Sequence, residues 1–144
     1  MNSGLEFAQK LSLAYESQCK PLCRKWRLTQ TALDILLFLA NNPECDTARD
    51  IVEIRKIKAN LVSVNVNRLV ERGYLERQAV AEDRRKIRLV PTTAAQPIIE
   101  AGQTMQAAFG AALVQNVTAA DQAAFQRAMA EISKNMDALL EDRV

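Results

Sequence analysis

The strongest constraint on the fold comes from the segment between residues 58 and 90. Its first part, 58–72, carries apolar side chains at helical spacing and ends at Gly73, a residue typical of the position after a helix C-terminus. Two short segments, 74–80 and 86–90, flank a polar turn, and the second alternates basic and apolar side chains as a half-exposed strand does. The segment therefore predicts a helix followed by a β-hairpin.

Helical periodicity and N-capping residues predict three helices before this segment and two after it. Their approximate ranges are 5–25, 32–39, 47–54, 93–115 and 118–139. We expect N-caps at Thr29 and Thr118, a capping box between Thr47 and Asp50, and a start of the long helix at Thr92 or Thr93. Because the chain has only four glycines and four prolines, few turns are available and a mainly α protein follows.

The order of these elements predicts a winged helix, which is a helix-turn-helix with a hairpin appended, over residues 29–91. A winged helix has one small core, so the helices of 1–28 and 92–144 must pack elsewhere. The last helix carries an apolar seam with spacings of four and three residues, which favours pairing with another helix. Its members are Phe125, Met129, Ile132, Met136 and Leu139. We therefore expect one domain over 1–144 whose terminal helices form a dimerisation region.

Basic side chains are concentrated in the middle of the chain. Between Arg55 and Arg88 there are ten basic and four acidic side chains, although the whole chain has a net charge of only +2. A basic element on a neutral or acidic scaffold is typical of polyanion binding. The alternative is a solvated charged face that contacts nothing.

Composition excludes several other functions. The chain has no histidine, which removes the usual general base and the commonest metal ligand, and it shows no cluster of acids or Gly-rich phosphate loop. We therefore expect no enzyme activity, no cofactor and no metal. Three features indicate a cytoplasmic protein. The chain has three cysteines, no apolar stretch follows residues 1–6, and no apolar run is long enough to span a bilayer.

The predicted helix 58–72 has a polar face opposite its apolar stripe. That face is unusual for a surface helix because its residue types are poor helix formers but good partners for base edges. Its members are Asn60, Ser63, Val64 and Asn67. Asparagine can pair with adenine, and an exposed valine can pack on a thymine methyl group. Three nearby cations, Lys56, Lys58 and Arg68, complete a candidate surface for double-stranded DNA, the latter two by contacting phosphates.

The predicted hairpin supplies a second set of candidate DNA contacts: Asp83, Arg84, Arg85 and Arg88. Arginine on a slim protrusion can enter a narrow A·T-rich minor groove. Asp83 is expected to pair with one of the arginine side chains and so to fix its direction. The alternative is a charged turn without a partner.

These motifs resemble the MarR family of bacterial transcription regulators. The likeness lies in NRLVERGYLER at 67–77, EDRR at 82–85 and VPT at 90–92, together with the order of elements. It implies a homodimer in which the first, fifth and sixth helices intertwine and two winged helices bind a palindromic operator. By family position, Asp83 is the wing aspartate and Arg85 the arginine that enters the minor groove.

The sequence departs from the family pattern at three positions. Lys56 stands where many members have glycine in the helix-turn-helix, and Arg55 stands where an apolar residue is common. Pro91 replaces the leucine usual before Thr92. These differences bear on the geometry of the turn and add two cations to the surface.

The resemblance also implies a small-molecule effector, because members often bind small aromatic acids between the dimerisation helices and the winged helix. The candidate lining residues are Leu11, Tyr15, Trp26 and Leu37. The alternative is that these side chains belong to the core.

Two cysteines, Cys19 and Cys23, are four residues apart and so share a face of the first helix. Some relatives sense oxidants through a cysteine there. An i,i+4 pair on an intact helix is poorly placed for a disulfide, so buried thiols without a role are the alternative.

The function predicted from the sequence is a sequence-specific DNA-binding regulator, in particular a repressor, that acts as a homodimer and is released by a small aromatic or anionic ligand. The alternatives are a redox-sensing regulator using Cys19 and Cys23, and a winged helix that binds a protein partner.

Overall fold

Every predicted helix and strand is present in the computed structural model, which describes residues 3–141. The order is α1 (Gly4–Trp26), α2 (Gln30–Asn41), α3 (Ala48–Arg55), α4 (Ala59–Glu71), β1 (Leu75–Val80), β2 (Asp83–Pro91), a 3₁₀ turn (Thr93–Ala95), α5 (Gln96–Leu113) and α6 (Ala119–Glu141). The architecture is thus mainly helical with a two-stranded antiparallel hairpin, as expected. The outermost residues of the predicted terminal segments, 1–2 and 142–144, lie outside the described part of the chain.

Side-chain caps start the helices where the sequence predicts them. The Thr29 hydroxyl accepts the Ala32 N–H at 3.0 Å at the start of α2. Thr47 and Asp50 form the complete capping box at the start of α3. Gly73 has a φ of +80° after α4, a conformation that a residue with a Cβ adopts at a cost. These local signals therefore mark the starts of α2 and α3 and the end of α4.

The start of α5 differs from the prediction. Thr92 makes no side-chain capping bond, and its hydroxyl instead donates to the Gly73 carbonyl at 2.5 Å. A 3₁₀ turn therefore opens this helix, and the hydroxyl joins the end of β2 to the turn that follows α4.

The core is centred on α2, which is apolar on nearly all sides. Its seven buried residues are Ala32, Leu33, Ile35, Leu36, Leu37, Phe38 and Leu39. The predicted apolar stripe of α4 packs in the same cluster, with Val62, Val66 and Leu69 no more than 4% exposed. The core thus supports the helix that carries the candidate polar face.

The chain divides into two compact units, residues 3–109 and 110–141. The first contains α1 to β2 and most of α5. In the second, the seam residues of α6 are between 47% and 67% exposed. Within residues 3–141, no helix is long and apolar enough to cross a membrane.

Two glycines of α5 provide a test of packing between α5 and α2. A Cβ added at Gly102 would lie 2.5 Å from Leu37 Cδ2, whereas a Cβ at Gly110 would meet nothing within 4 Å. We expect Gly102→Ala to lower the free energy of unfolding by about 1 kcal/mol, because overpacking outweighs the gain in helix propensity. Gly110→Ala should raise it by up to about 1 kcal/mol. Thermal unfolding measures both, and equal shifts of the same sign would contradict the close packing.

Candidate nucleic-acid interface

The candidate base-contacting face of α4 is exposed. Asn60, Ser63, Val64 and Asn67 are all on the surface, and Val64 is 46% exposed. Leu61 is 44% exposed and adds an apolar side chain that the sequence prediction did not include. The helix therefore presents amide, hydroxyl and apolar groups together, which is the mixture that major-groove base edges require.

One polar residue of α4 is buried instead. Asn65 is 4% exposed, its Oδ1 accepts the Thr29 hydroxyl at 2.6 Å, and its Nδ2 donates to the Leu61 carbonyl at 2.8 Å. A buried amide is stable only when its groups are paired in this way. Asn65 thus joins α4 to the start of α2. Helical periodicity alone predicts an apolar residue at such a buried position.

Arg77 of β1 contacts the polar face of α4. Its Nη2 donates to Asn67 Oδ1. A guanidinium group has no acceptor, so the amide oxygen of Asn67 must face Arg77 and the amide NH₂ group points the other way. The predicted set of site residues omitted Arg77, because the strand pattern gives no information on which helix residue a side chain touches.

The wing has a shorter turn than predicted, because β2 begins at Asp83. Val80 pairs with Asp83 and Ala79 pairs with Ile87, so Arg84, Arg85 and Lys86 form an irregular insertion in β2. All three are exposed. An insertion of this kind re-aims side chains, and here it places three adjacent cations at the tip of the hairpin.

Asp83 has a different partner from the one predicted. Its Oδ1 accepts the backbone N–H of Arg85 at 3.0 Å, which is the bond of an Asx turn. The side chain therefore shapes the backbone of the wing tip, and the expected pairing with an arginine side chain is replaced by this bond.

Arg88 anchors the base of the wing. Its Nε lies 2.6 Å from Asp46 Oδ2, and the Leu89 N–H donates to the Asp46 carbonyl at 2.7 Å. The sequence prediction counted Arg88 among the DNA contacts and did not identify Asp46. In the structure, Arg88 holds the hairpin against the loop that precedes α3.

The three predicted cations outside the wing are exposed. Lys58 lies at the N-cap of α4, and Arg68 lies in its last turn. Lys56 follows α3 with a φ of +56°, a left-handed conformation that glycine adopts more readily than other residues. A lysine there costs roughly 1 kcal/mol relative to glycine. Arg55 is the second cation of this turn. Its Nη2 lies 3.4 Å from Asp34 Oδ2, so it forms an ion pair within the chain.

The four candidate ligand-pocket residues differ in burial and in contacts. Tyr15 and Trp26 are about 16 Å apart along α1, since a helix rises about 1.5 Å per residue. The Tyr15 hydroxyl accepts from Gln106 Nε2 at 3.0 Å, and Leu37 is buried beside Gly102. Leu11 is 39% exposed. Neither of two cavities, of about 210 and 350 Å³, is lined by any of the four.

The three cysteines are free thiols. Cys19 is fully buried, and burial raises the pKa of its thiol and that of Cys23. A raised pKa lowers the fraction of reactive thiolate, which is the opposite of what oxidant sensing needs. In the described residues no group of three or more His, Cys, Asp or Glu side chains is arranged to hold a metal ion.

Comparisons with known proteins extend these observations. A family model described as the MarR family matches residues 28–86. No curated protein matches the sequence.

Solved structures with the same fold cover nearly the whole chain. A MarR family transcriptional regulator from Listeria monocytogenes in complex with 26-mer DNA has a TM-score of 0.83 at 17% identity, covering 94% of this chain and 90% of that one. A MarR protein from Peptoclostridium difficile has a TM-score of 0.81 at 18% identity, covering 96% and 90%. The MepR–DNA complex from S. aureus has a TM-score of 0.78 at 15% identity, covering 94% and 99%. Residues 28–86 of this chain therefore match the MarR family model, and the chain as a whole has the fold of MarR-family structures.

Proposed function

We propose that this protein is a transcription regulator that binds double-stranded DNA as a homodimer and represses transcription from a palindromic operator. The observation that carries the proposal is the contact of Arg77 with Asn67, because it joins a wing strand to the polar face of α4. Groups suited to base edges and cations suited to phosphates therefore occur on one continuous part of the first unit. The MarR-fold structures solved with DNA support the same assignment.

In the proposed complex, α4 of each subunit enters one of two successive major grooves, about one helical turn of DNA apart. Arg84 and Arg85 enter the flanking minor grooves, where the negative potential is strongest over A·T-rich sequence. Lys56, Lys58 and Arg68 contact phosphates and position the helix. Specificity then depends on Asn60, Ser63, Val64 and Asn67.

The proposed partner of the terminal helices is a second copy of the same chain. Met129, Ile132 and Met136 of α6 are each about half exposed within one chain. Their heptad spacing suits a helix–helix seam, and an apolar stripe of this length on a soluble protein is typical of an interface. Release by a small aromatic or anionic ligand stays a prediction from the family resemblance.

Selection of binding duplexes from a random pool tests the proposal, combined with the salt dependence of affinity and the mass in solution by light scattering. We expect a two-fold symmetric site, a steep negative slope of log affinity against log salt, and the mass of two chains. A flat base profile would overturn it, and a basic surface for an acidic protein partner would then be the better explanation.

A prediction for Asn67 follows from its contact with Arg77. Because the amide NH₂ points away from the guanidinium, we expect Asn67 to donate to an acceptor on a base edge, such as a purine N7. Asn67→Ala should relax the preference at one base position of each half-site by about 1–3 kcal/mol. Glu71→Ala, on the same helix, serves as the control and should leave every base preference unchanged. The selection profile measures both, and an unchanged profile for Asn67→Ala would remove this residue from the site.

A further inference from the structure

The end of α1 has two backbone carbonyls that its own helix does not satisfy. Arg27 adopts the left-handed conformation with a φ of 53°, and the Leu28 N–H donates to the Cys23 carbonyl at 2.9 Å. This pattern closes the helix but leaves the carbonyls of Trp26 and Arg27 directed outward. Helix ends of this kind need an external donor or water.

Arg72, which follows α4, supplies that donor. Its Nη1 donates to the Arg27 carbonyl at 2.6 Å and its Nη2 donates to the Trp26 carbonyl at 2.5 Å. The guanidinium carbon also lies 5.1 Å from the centre of the Tyr74 ring, which holds the group from the other side. One rigid fork therefore binds two consecutive carbonyls, and its positive charge suits the C-terminal end of the α1 dipole.

A second polar contact joins α4 to the short segment between α1 and α2. Asn65 binds Thr29, which lies three residues after the end of α1, and Asn65 and Arg72 are about 10 Å apart along α4. Between these two contacts lies a cavity of about 210 Å³, lined by Leu28, Ala32 and Leu69 among others. Apolar packing is incomplete there, so the two polar contacts fix the direction of α4 relative to the end of α1.

We infer that Arg72 is a positioning residue that sets the separation between the two α4 helices of the dimer, and thereby the spacing of the half-sites that the protein accepts. The inference rests on the proposed function, in which α1 belongs to the dimerisation region. Because Arg72 acts through α1 and not through a base or a phosphate, its loss should affect the preference for spacing while the base preferences within each half-site remain.

The test uses palindromic duplexes that carry the selected half-sites at the selected spacing and at spacings one and two base pairs longer or shorter. Arg72→Met keeps an apolar stem but removes the fork. We expect its discrimination between the best spacing and its neighbours to fall by at least about tenfold, because losing one charge-assisted hydrogen bond has about that effect and this variant loses two. Base preferences and the salt slope should equal those of the wild type. Arg72→Lys, which can bind one carbonyl, should give an intermediate result.

Arg68→Met is the matched control, because Arg68 lies one turn earlier on α4 and lines the same cavity. As a proposed phosphate contact, Arg68 should contribute to the salt slope and not to the spacing preference. This variant should therefore reduce the magnitude of the slope by about one per subunit and leave the spacing profile unchanged. Circular dichroism checks that the variants are folded at the assay temperature.

Three results would overturn the inference: an unchanged spacing profile for Arg72→Met, a salt slope lowered as in Arg68→Met, or a loss of affinity that is equal at all spacings. These results differ from failure of the proposed function. In that case the wild-type protein itself would show no two-fold symmetric site, before any variant was compared.

Discussion

Replacing Leu69 by alanine is expected to lower the free energy of unfolding by about 3 kcal/mol. Leu69 is 1% exposed and packs in the core cluster below α4. Truncation removes buried methyl groups and enlarges the empty space beside the 210 Å³ cavity that Leu69 already lines. Thermal unfolding should show a midpoint lower by roughly 10 °C for a chain of this size.

Leu61→Ala is the matched control for this prediction. It is the same substitution two turns earlier on α4, at a side chain that is 44% exposed. We expect its unfolding midpoint to change by no more than a few degrees, since little apolar surface is buried there. Similar losses for both variants would mean that α4 is packed differently from the structure described above.

Replacing Arg85 by alanine is expected to weaken binding to the selected operator by about tenfold or more, with the greatest loss on sites that have A·T-rich flanks. Arg85 is exposed in the insertion of β2, and the Asp83 carboxylate holds its backbone N–H. The magnitude of the slope of log affinity against log salt should fall by about one per subunit, because one cation no longer replaces a counterion. Titration of labelled duplexes at several salt concentrations measures both quantities.

Two further variants test whether the effect of Arg85 depends on the arginine side chain at this position or only on its positive charge. Arg85→Lys keeps the charge, so the salt slope should stay near that of the wild type while part of the preference for A·T-rich flanks is lost, because lysine is more strongly hydrated. Lys134→Ala removes an exposed cation from α6 and should change neither quantity appreciably. If Arg85→Ala behaved like Lys134→Ala, the wing tip would not be a DNA contact.

Local sequence signals predicted the elements well because each depends on a few neighbouring residues. Thr29, Thr47 and Gly73 act within one turn of the chain, and the structure confirms all three. The apolar stripe of α4 follows from spacing alone, and its burial was predicted correctly. The exception is Thr92. Its hydroxyl donates to the Gly73 carbonyl, 19 residues earlier in the chain, and makes no capping bond.

The candidate site was predicted less completely, because several of its side chains have partners far away in the sequence. Arg88 pairs with Asp46 at the base of the wing, 42 residues apart. Arg77 meets Asn67 only because β1 folds back beside α4. A one-dimensional pattern shows that such residues are charged and exposed, but it does not show which of them are already paired.

The sequence by itself determined the order of elements, the limits of most helices, the apolar stripe of α4 and the basic middle of the chain, since all of these depend on residue type and local spacing. The tertiary structure decided which polar groups remain available. It assigned Arg72 to the carbonyls of α1, Arg88 to Asp46 and Asn65 to Thr29, and it left Arg84 and Arg85 exposed at the wing tip. The physical reason is that a hydrogen bond requires two groups within about 3 Å in a suitable direction, and only the folded chain sets that distance.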